Sequence, residues 1–281
     1  MDFGIHLGSV SPKAWIDVTC RADAVGFESV WLPEHLVIPV AASGSPHHGA
    51  EHPPIPAHVP VFDVFAYMAY LAAVTERITL GTSVYNIGLR HPFVTARAAT
   101  TVDVLSGGRL ALGIGSSWLR EEWEAVGLDF DTRGARVDEA IEVCRRLWTE
   151  ETIEHHGRFF DFAPVAFEPK PVQAGGPALH IGGDGAVALR RTATVGAGWI
   201  PMNHGVDALG PPLAKLRELC AAVGRTTPVQ VTLHGNVTRP DDVAPYADAG
   251  VTRLIVTPWS RTSEAIDGLA RFADEVIAPL G

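Results

Sequence analysis

The fold of this chain is decided by Ser106-Gly107-Gly108-Arg109-Leu110-Ala111-Leu112-Gly113-Ile114-Gly115-Ser116-Ser117-Trp118-Leu119-Arg120-Glu121-Glu122-Trp123-Glu124-Ala125-Val126-Gly127. It reads as a turn at Ser106-Gly107-Gly108, a short strand from Arg109 to Ile114, and a loop that begins where the strand ends. The strand is apolar on both faces, the pattern of a parallel sheet covered on both sides. Gly113 and Gly115 flank Ile114 at its C-terminal end. Two missing side chains there either let the chain pack and turn tightly or leave room for something flat against the backbone.

The same strand-then-helix unit recurs outward in both directions. Upstream, Asp2 to Gly8, Ser29 to Leu32 and Ile78 to Val84 are strand-like. They alternate with three helical patterns. Ser11 offers the first an N-cap, with Pro12 at its first position and Gly26 after its end. The second spans about Asp63 to Thr75, and the third is opened by His91-Pro92. Downstream, Val137, Ala140, Ile141, Cys144, Leu147 and Trp148 mark the clearest amphipathic helix. Four more strands follow: Leu179 to Gly182, Trp199 to Met202, Val229 to Gly235 and Arg253 to Trp259. A last helix points Ile266, Leu269, Phe272, Ala273 and Val276 inward. Eight such units in 281 residues predict an α/β fold. It is a (β/α)8 TIM barrel in one domain over residues 1–281, with parallel strands. A long Pro/His/Gly/Ala-rich loop, Leu36 to Pro60, follows strand two, and a small excursion at 152–175 precedes strand five. A doubly wound open sheet fits less well, because the first strand lacks a G-x-G-x-x-G turn.

Composition narrows the function. The chain is 47% hydrophobic and 19% charged, with a net charge of −10. That argues for a globular protein and against general nucleic-acid binding. No apolar run reaches a membrane span, and Met1 leads into a strand without a basic segment, so no membrane association or leader is expected. Cys20, Cys144 and Cys220 are far apart in helical patterns and read as reduced core thiols of a cytoplasmic protein. Lysine occurs only at 13, 170 and 215, none at a strand end, which argues against a Schiff-base aldolase.

In such a barrel the chemistry sits at the C-terminal ends of the strands. Those ends are His6 to Gly8, Glu34-His35, Ser83-Val84-Tyr85, Gly115-Ser116-Ser117, Gly182-Gly183-Asp184, Asn203-His204, His234 to Asn236 and Trp259-Ser260. Glu34 and His35 point oppositely if the strand continues through them. Gly182-Gly183-Asp184-Gly185 stands between a strand and a helix, where exposed amides suit a phosphate and Arg190 or Arg191 adds charge; the other reading is a plain tight turn. His47, His48, His52 and His58 crowd the long loop without metal-ligand spacing, and no metal is expected. The same loop is long enough to act as a lid, with Phe62, Phe65 and Tyr67 shaping a pocket beneath it.

Several segments taken together resemble the luciferase-like monooxygenase superfamily, the flavin- and deazaflavin-dependent barrels. They are Gly26-Phe27-Glu28-Ser29-Val30-Trp31 through Glu34-His35, Arg77-Ile78-Thr79-Leu80-Gly81-Thr82-Ser83-Val84, and His91-Pro92 through Leu105-Ser106-Gly107-Gly108-Arg109 to Gly115. The resemblance runs over almost the whole chain. It implies the same barrel fold, a flavin-like ring across the strand ends, and a non-proline cis peptide at Ser83–Val84 beside that ring. It places Gly115 and Ser116 near the ring, Gly182, Gly183 and Asp184 at the phosphate, and Glu34 and His35 near ring and substrate. Coenzyme F420 is the cofactor the Gly-Thr-Ser-Val run most resembles, with FMN the alternative. F420 implies hydride transfer to or from a small organic substrate, with His35 moving the proton and Ser116 as hydrogen-bonding neighbour. FMN would permit a monooxygenase. A third reading is a barrel that keeps the pocket without redox turnover, as a carrier or a non-redox lyase or isomerase. Family members are commonly homodimers. Members that oxidise glucose 6-phosphate carry a glutamate where this chain has Ser116, and they use lysines for the phosphate. The resemblance therefore does not extend to a sugar-phosphate substrate. The family's usual Asp before Gly-Trp is Ala197 here.

Overall fold

Each of the eight apolar runs forms a strand. In a computed structural model that describes residues 1–41, 56–202 and 204–281, β1 is Asp2–His6, β2 Ser29–Leu32, β3 Thr79–Thr82, β4 Tyr85–Asn86 and β5 Leu110–Gly115. Then come β6 Thr152–His156, β7 Asp161–Ala166, β8 Ala178–Gly182, β9 Gly198–Ile200, β10 Gln230–His234 and β11 Arg253–Val256. Eight of these pair in parallel in the order β3-β2-β1-β11-β10-β9-β8-β5, and β3 pairs with β5 to close the ring. The fold is the expected (β/α)8 barrel. Closure leaves no free edge, and each β-to-β crossover passes through helix, as a parallel pair requires. The helices are α1 Trp15–Ala24, α2 Val64–Val74, α3 Pro92–Ser106, α4 Arg120–Ala125, α5 Arg133–Thr149, α6 Ala186–Val195, α7 Gly210–Ala222, α8 Ala244–Asp248 and α9 Ala265–Phe272. The excursion is an antiparallel hairpin of β6 and β7. Among the described residues no helix is long and apolar enough to cross a membrane.

Most apolar burial lies between strands and helices, where α5 places Val137, Ala140, Ile141, Cys144, Leu147 and Trp148 inward as its periodicity requires. Inside the barrel a smaller cluster joins Trp31, Ala111, Ile200 and Ile255, one residue from every second strand. That is the layered filling of a closed barrel, and Val84 caps it. Below it the interior turns polar. Arg253, 3% exposed, is held by both oxygens of Glu28 at 2.7 Å and donates to Thr232 Oγ1 at 3.2 Å. His180, 1% exposed, meets the Trp31 ring edge-on at 5.3 Å, with Nδ1 lacking a hydrogen-bond partner among the described residues.

Local expectations fail where tertiary contact overrides pattern. Strand three is not continuous from Ile78 to Val84: it stops at Thr82, passes through a cis Ser83–Val84 peptide, and resumes as β4 beside β5. The stretch after β5 is not all loop, since Arg120–Ala125 forms α4. Ser11 makes no side-chain cap, because a 3-10 turn at Pro12–Ala14 intervenes before α1. Ile266 is 37% exposed, since α9 turns Leu269 and Phe272 to the core instead. Of the three free cysteines only Cys144 is fully buried.

Candidate functional site

The C-terminal ends of β1, β2, β3, β5, β8 and β9 open into one cavity of about 910 Å³. All nine residues singled out from sequence line it: Glu34, His35, Ser83, Val84, Gly115, Ser116, Gly182, Gly183 and Asp184. The ends of β10 and β11 contribute nothing to the lining. Trp259, just past the end of β11, donates Nε1 to the Ser9 carbonyl at 3.5 Å. Phe62 lines the cavity, but Phe65 and Tyr67 stand behind it, packed on Tyr85 and on Trp15. Of the four loop histidines, His47, His48 and His52 lie outside the described residues, as does Asn203; His58 is exposed and away from the cavity. Among the described residues no cluster of histidine, cysteine or carboxylate groups has metal-binding geometry.

Glu34 and His35 both face the cavity but are anchored on opposite sides. The Glu34 carboxylate accepts from the Asn86 amide at 2.9 Å and from Arg90 Nη2 at 2.7 Å. Burial pushes this carboxyl up; the Arg90 guanidinium and the Asn86 amide pull it back, and the charge of Glu122 adds to the push. His35 Nδ1 lies 3.1 Å from Glu122 Oε2 on α4, and its ring meets Trp118 edge-on at 6.1 Å. Glu122 is fully buried and also accepts from the Leu36 amide at 2.6 Å and the Val37 amide at 3.3 Å. A carboxylate oxygen is an acceptor, so this contact has His35 Nδ1–H donating and leaves Nε2 as the ring nitrogen without a partner among the described residues. Sequence reading passed over Glu122. No sequence signal marks it out, because Glu121, Glu122 and Glu124 are all acids in the six residues of α4 and only the fold buries the middle one.

The glycines acquire a specific reason. A Cβ on Gly115 would lie 2.7 Å from one Val84 methyl, and a Cβ on Gly182 would lie 2.8 Å from the other. Their missing side chains seat Val84, which the cis peptide turns between β5 and β8. Any flat ligand therefore meets Val84 rather than bare glycine. The Ser116 hydroxyl lines the cavity with no hydrogen-bond partner among the described residues. Ser117 turns the chain into α4 in the left-handed region, φ 63°, its hydroxyl accepting from the Leu119 amide at 3.2 Å.

Gly183, at φ 114°, leads into α6, whose N-cap Gly185 supplies no capping side chain. The first amides of the ten-residue α6 thus lack intrahelical acceptors and stand at the cavity wall. The Asp184 carboxylate is turned to the Met202 amide at 2.8 Å and toward His204 at 3.6 Å. Of the two arginines considered, Arg191 lines the cavity and Arg190 is exposed; Arg133 is a second lining cation. The main chain around Ala197 simply pairs with Leu179 and Gln230.

On the floor, His6 Nδ1 accepts from the Gly8 amide at 3.2 Å and its ring also bonds the Ser83 backbone. Burial and the neighbouring His234 bring it down to about 4, and burial with the Arg253 charge brings His180 down to about 3. Both are neutral when folded and protonate near 6.5 when unfolded. The unfolded chain therefore binds more protons as pH falls. Stability is complete above about pH 6.5 and drops by ~1.4 kcal/mol per pH unit per histidine below it. The urea midpoint is expected to fall between pH 7 and pH 5, with a shallower slope in His180→Leu; an unchanged slope places the acid sensitivity elsewhere.

A family model described as luciferase-like monooxygenase matches residues 2–255. An uncharacterized protein of Mycobacterium tuberculosis is 31% identical over 277 residues, covering 94% of each chain. An F420-dependent glucose-6-phosphate dehydrogenase of Intrasporangium calvum is 36% identical over 184 residues, 59% of this chain and 49% of that one. Two solved structures share the fold at TM-score 0.80: the monooxygenase RslO1 from Streptomyces bottropensis, at 22% identity over 100% of both chains, and the coenzyme F420 dependent tetrahydromethanopterin reductase from Methanopyrus kandleri. The latter is 16% identical over 100% of this chain and 99% of that one.

Proposed function

The chain belongs to the luciferase-like monooxygenase family, and from that premise we propose that it is an F420-dependent oxidoreductase acting on a small organic substrate. The observation that carries this is one cavity holding three things: the Val84 bulge, the open amides of α6, and a histidine oriented by a buried carboxylate. The residues present fit a ring-plus-phosphate cofactor. The amides from Gly183 into α6, with Arg133 and Arg191, would hold the phosphate. Val84 and Ser116 would meet the ring. F420 bound there would supply hydride chemistry at a substrate carbon. His35 Nε2 would take the proton from the substrate hydroxyl in oxidation, or give it to the carbonyl oxygen in reduction, so that electrons and protons balance. Asp184 fixes the β8–α6 turn, and Glu34 fixes the turn after β4 through Asn86 and Arg90.

Binding of F420 and of FMN, each followed separately by fluorescence, tests this reading. F420 bound at micromolar concentration and FMN not bound is the expected result. FMN bound alone replaces it with an FMN-dependent monooxygenase, and neither bound overturns it. Reduced F420 that stays bound and is reoxidised by no substrate points to a carrier or non-redox enzyme. His35→Ala is expected to lower turnover about 100-fold at unchanged cofactor affinity.

A further inference from the structure

Followed around the barrel, the cavity wall changes character. Over β5, β8 and β9 it carries the glycine main chain, the Ser116 and Ser117 hydroxyls, Asp184 and the guanidinium groups of Arg133 and Arg191, with Trp118, Val187, Ala188 and Met202 among them. Over β1 and β2 hydrocarbon predominates, in Val10, Trp15, Ile38, Val59, Val61 and Phe62, with His6, Ser9, Glu34 and His35 at the strand ends. This wall is rooted in the barrel. Trp15 is 4% exposed and donates Nε1 to the Val10 carbonyl at 3.3 Å. Phe62 meets Trp15 edge-on at 6.0 Å, and Tyr67 braces the two rings at 5.0 and 5.6 Å. Phe62 itself lines the cavity and stays 43% exposed.

Among the described residues no lysine or arginine lines this side. Arg191 binds Asp138 at 2.7 Å and the Gly134 carbonyl at 3.2 Å. Arg133 donates to the Phe130 carbonyl at 3.0 Å and lies 3.9 Å over that ring. Both belong to α5 and α6, across the cavity. The connection at residues 36–60 contains no lysine or arginine at all, and Lys13 is exposed and outside the lining. An anion set against this wall would lose its water and gain no counter-charge. A hydrocarbon would gain by leaving water. The polar side chains at this end are His35, on its Glu122 tether, Glu34, held by Asn86 and Arg90, Ser9, and the neutral His6.

We propose that the β1–β2 half of the cavity is a subsite for uncharged, largely apolar substrates. Their hydrocarbon body lies against Trp15 and Phe62, and their one polar group, a hydroxyl or carbonyl, reaches His35. The chemistry after binding rests on the oxidoreductase reading; the binding itself does not. The subsite disfavours phosphorylated sugars because it offers their charge no counter-ion.

Calorimetric titration of the protein, with and without F420, using cyclohexanone, benzyl alcohol and glucose 6-phosphate as probes, decides the matter. The neutral probes are expected to bind at least tenfold more tightly than the phosphate. Phe62→Ala weakens the neutral probes at least fivefold, and Phe62→Lys narrows or reverses the preference. Val61→Lys is the second variant if either Phe62 change impairs folding. Glucose 6-phosphate binding as tightly as the neutral probes and weakened equally by Phe62→Ala overturns the proposal, and so does neutral binding indifferent to Phe62→Ala. F420 bound without the neutral-probe pattern removes the subsite alone. The pattern without F420 binding removes the cofactor reading alone.

Discussion

Glu122→Gln is expected to lower turnover on the order of 100-fold while leaving cofactor affinity within a small factor. The substitution preserves shape, so one amide oxygen still accepts from the Leu36 and Val37 amides, which Glu122 Oε1 holds at 2.6 and 3.3 Å. The group facing His35 Nδ1 becomes an NH2 donor where a carboxylate oxygen stood 3.1 Å away. Two donors cannot share that contact, so the imidazole takes the other tautomer and Nε2 carries the proton. The lone pair that faces the cavity is then gone. The loss should appear in kcat more than in KM, because the tether acts on proton transfer rather than on substrate contact. Ring nitrogen chemical shifts of His35 read the cause directly, without cofactor or substrate: Nδ1–H in the native protein, Nε2–H in the variant. A variant that keeps the native tautomer and native turnover would reduce Glu122 to a loop anchor.

Gly113→Ala is expected to cost on the order of 4 kcal/mol. A Cβ at this position would fall inside the Thr82 carbonyl oxygen, a backbone atom that no rotamer change can move. Thr82 Oγ1 also donates to the Gly113 carbonyl at 2.7 Å, and Leu80 and Gly81 pair with Leu110 and Ala111 just below. The two strands are therefore locked at the point where they would have to part. The melting temperature should fall by ~10 °C. Gly134→Ala is the control, since its Cβ meets nothing within 4 Å at the second position of α5. It should be neutral or stabilising by up to ~1 kcal/mol through helix propensity. Equal melting temperatures for the two variants would show that Gly113 has room its surroundings do not display.

Much of the architecture was legible because it is written in local pattern. Period-two or wholly apolar runs specified the strands, and the spacing of Val137, Ile141, Cys144 and Trp148 specified α5. Counting eight such units was enough for a barrel, since parallel strands joined through helices allow few closed arrangements. The residues at the strand ends followed from that count, and the nine singled out do converge on one cavity.

Local pattern could not carry which side chains meet across that convergence. His35 and Glu122 are 87 positions apart and touch only because β2 and β5 flank β3 in the closed ring. The break after Thr82 comes from the space that Gly115 and Gly182 leave for Val84, a three-strand agreement. Ile266 turned outward because the neighbours of α9, not its own spacing, choose which stripe is covered. For this chain, then, the amino-acid order alone determined the eight strand–helix units, their parallel sense and the glycine-flanked strand read as Arg109 to Ile114, observed as Leu110–Gly115. Only closure of the barrel decided that those glycines seat a valine, that a buried glutamate aims the histidine, and that hydrocarbon predominates on one side of the cavity. Backbone periodicity is a property of neighbours along the chain, whereas tautomer, charge pairing and cavity polarity belong to neighbours in space.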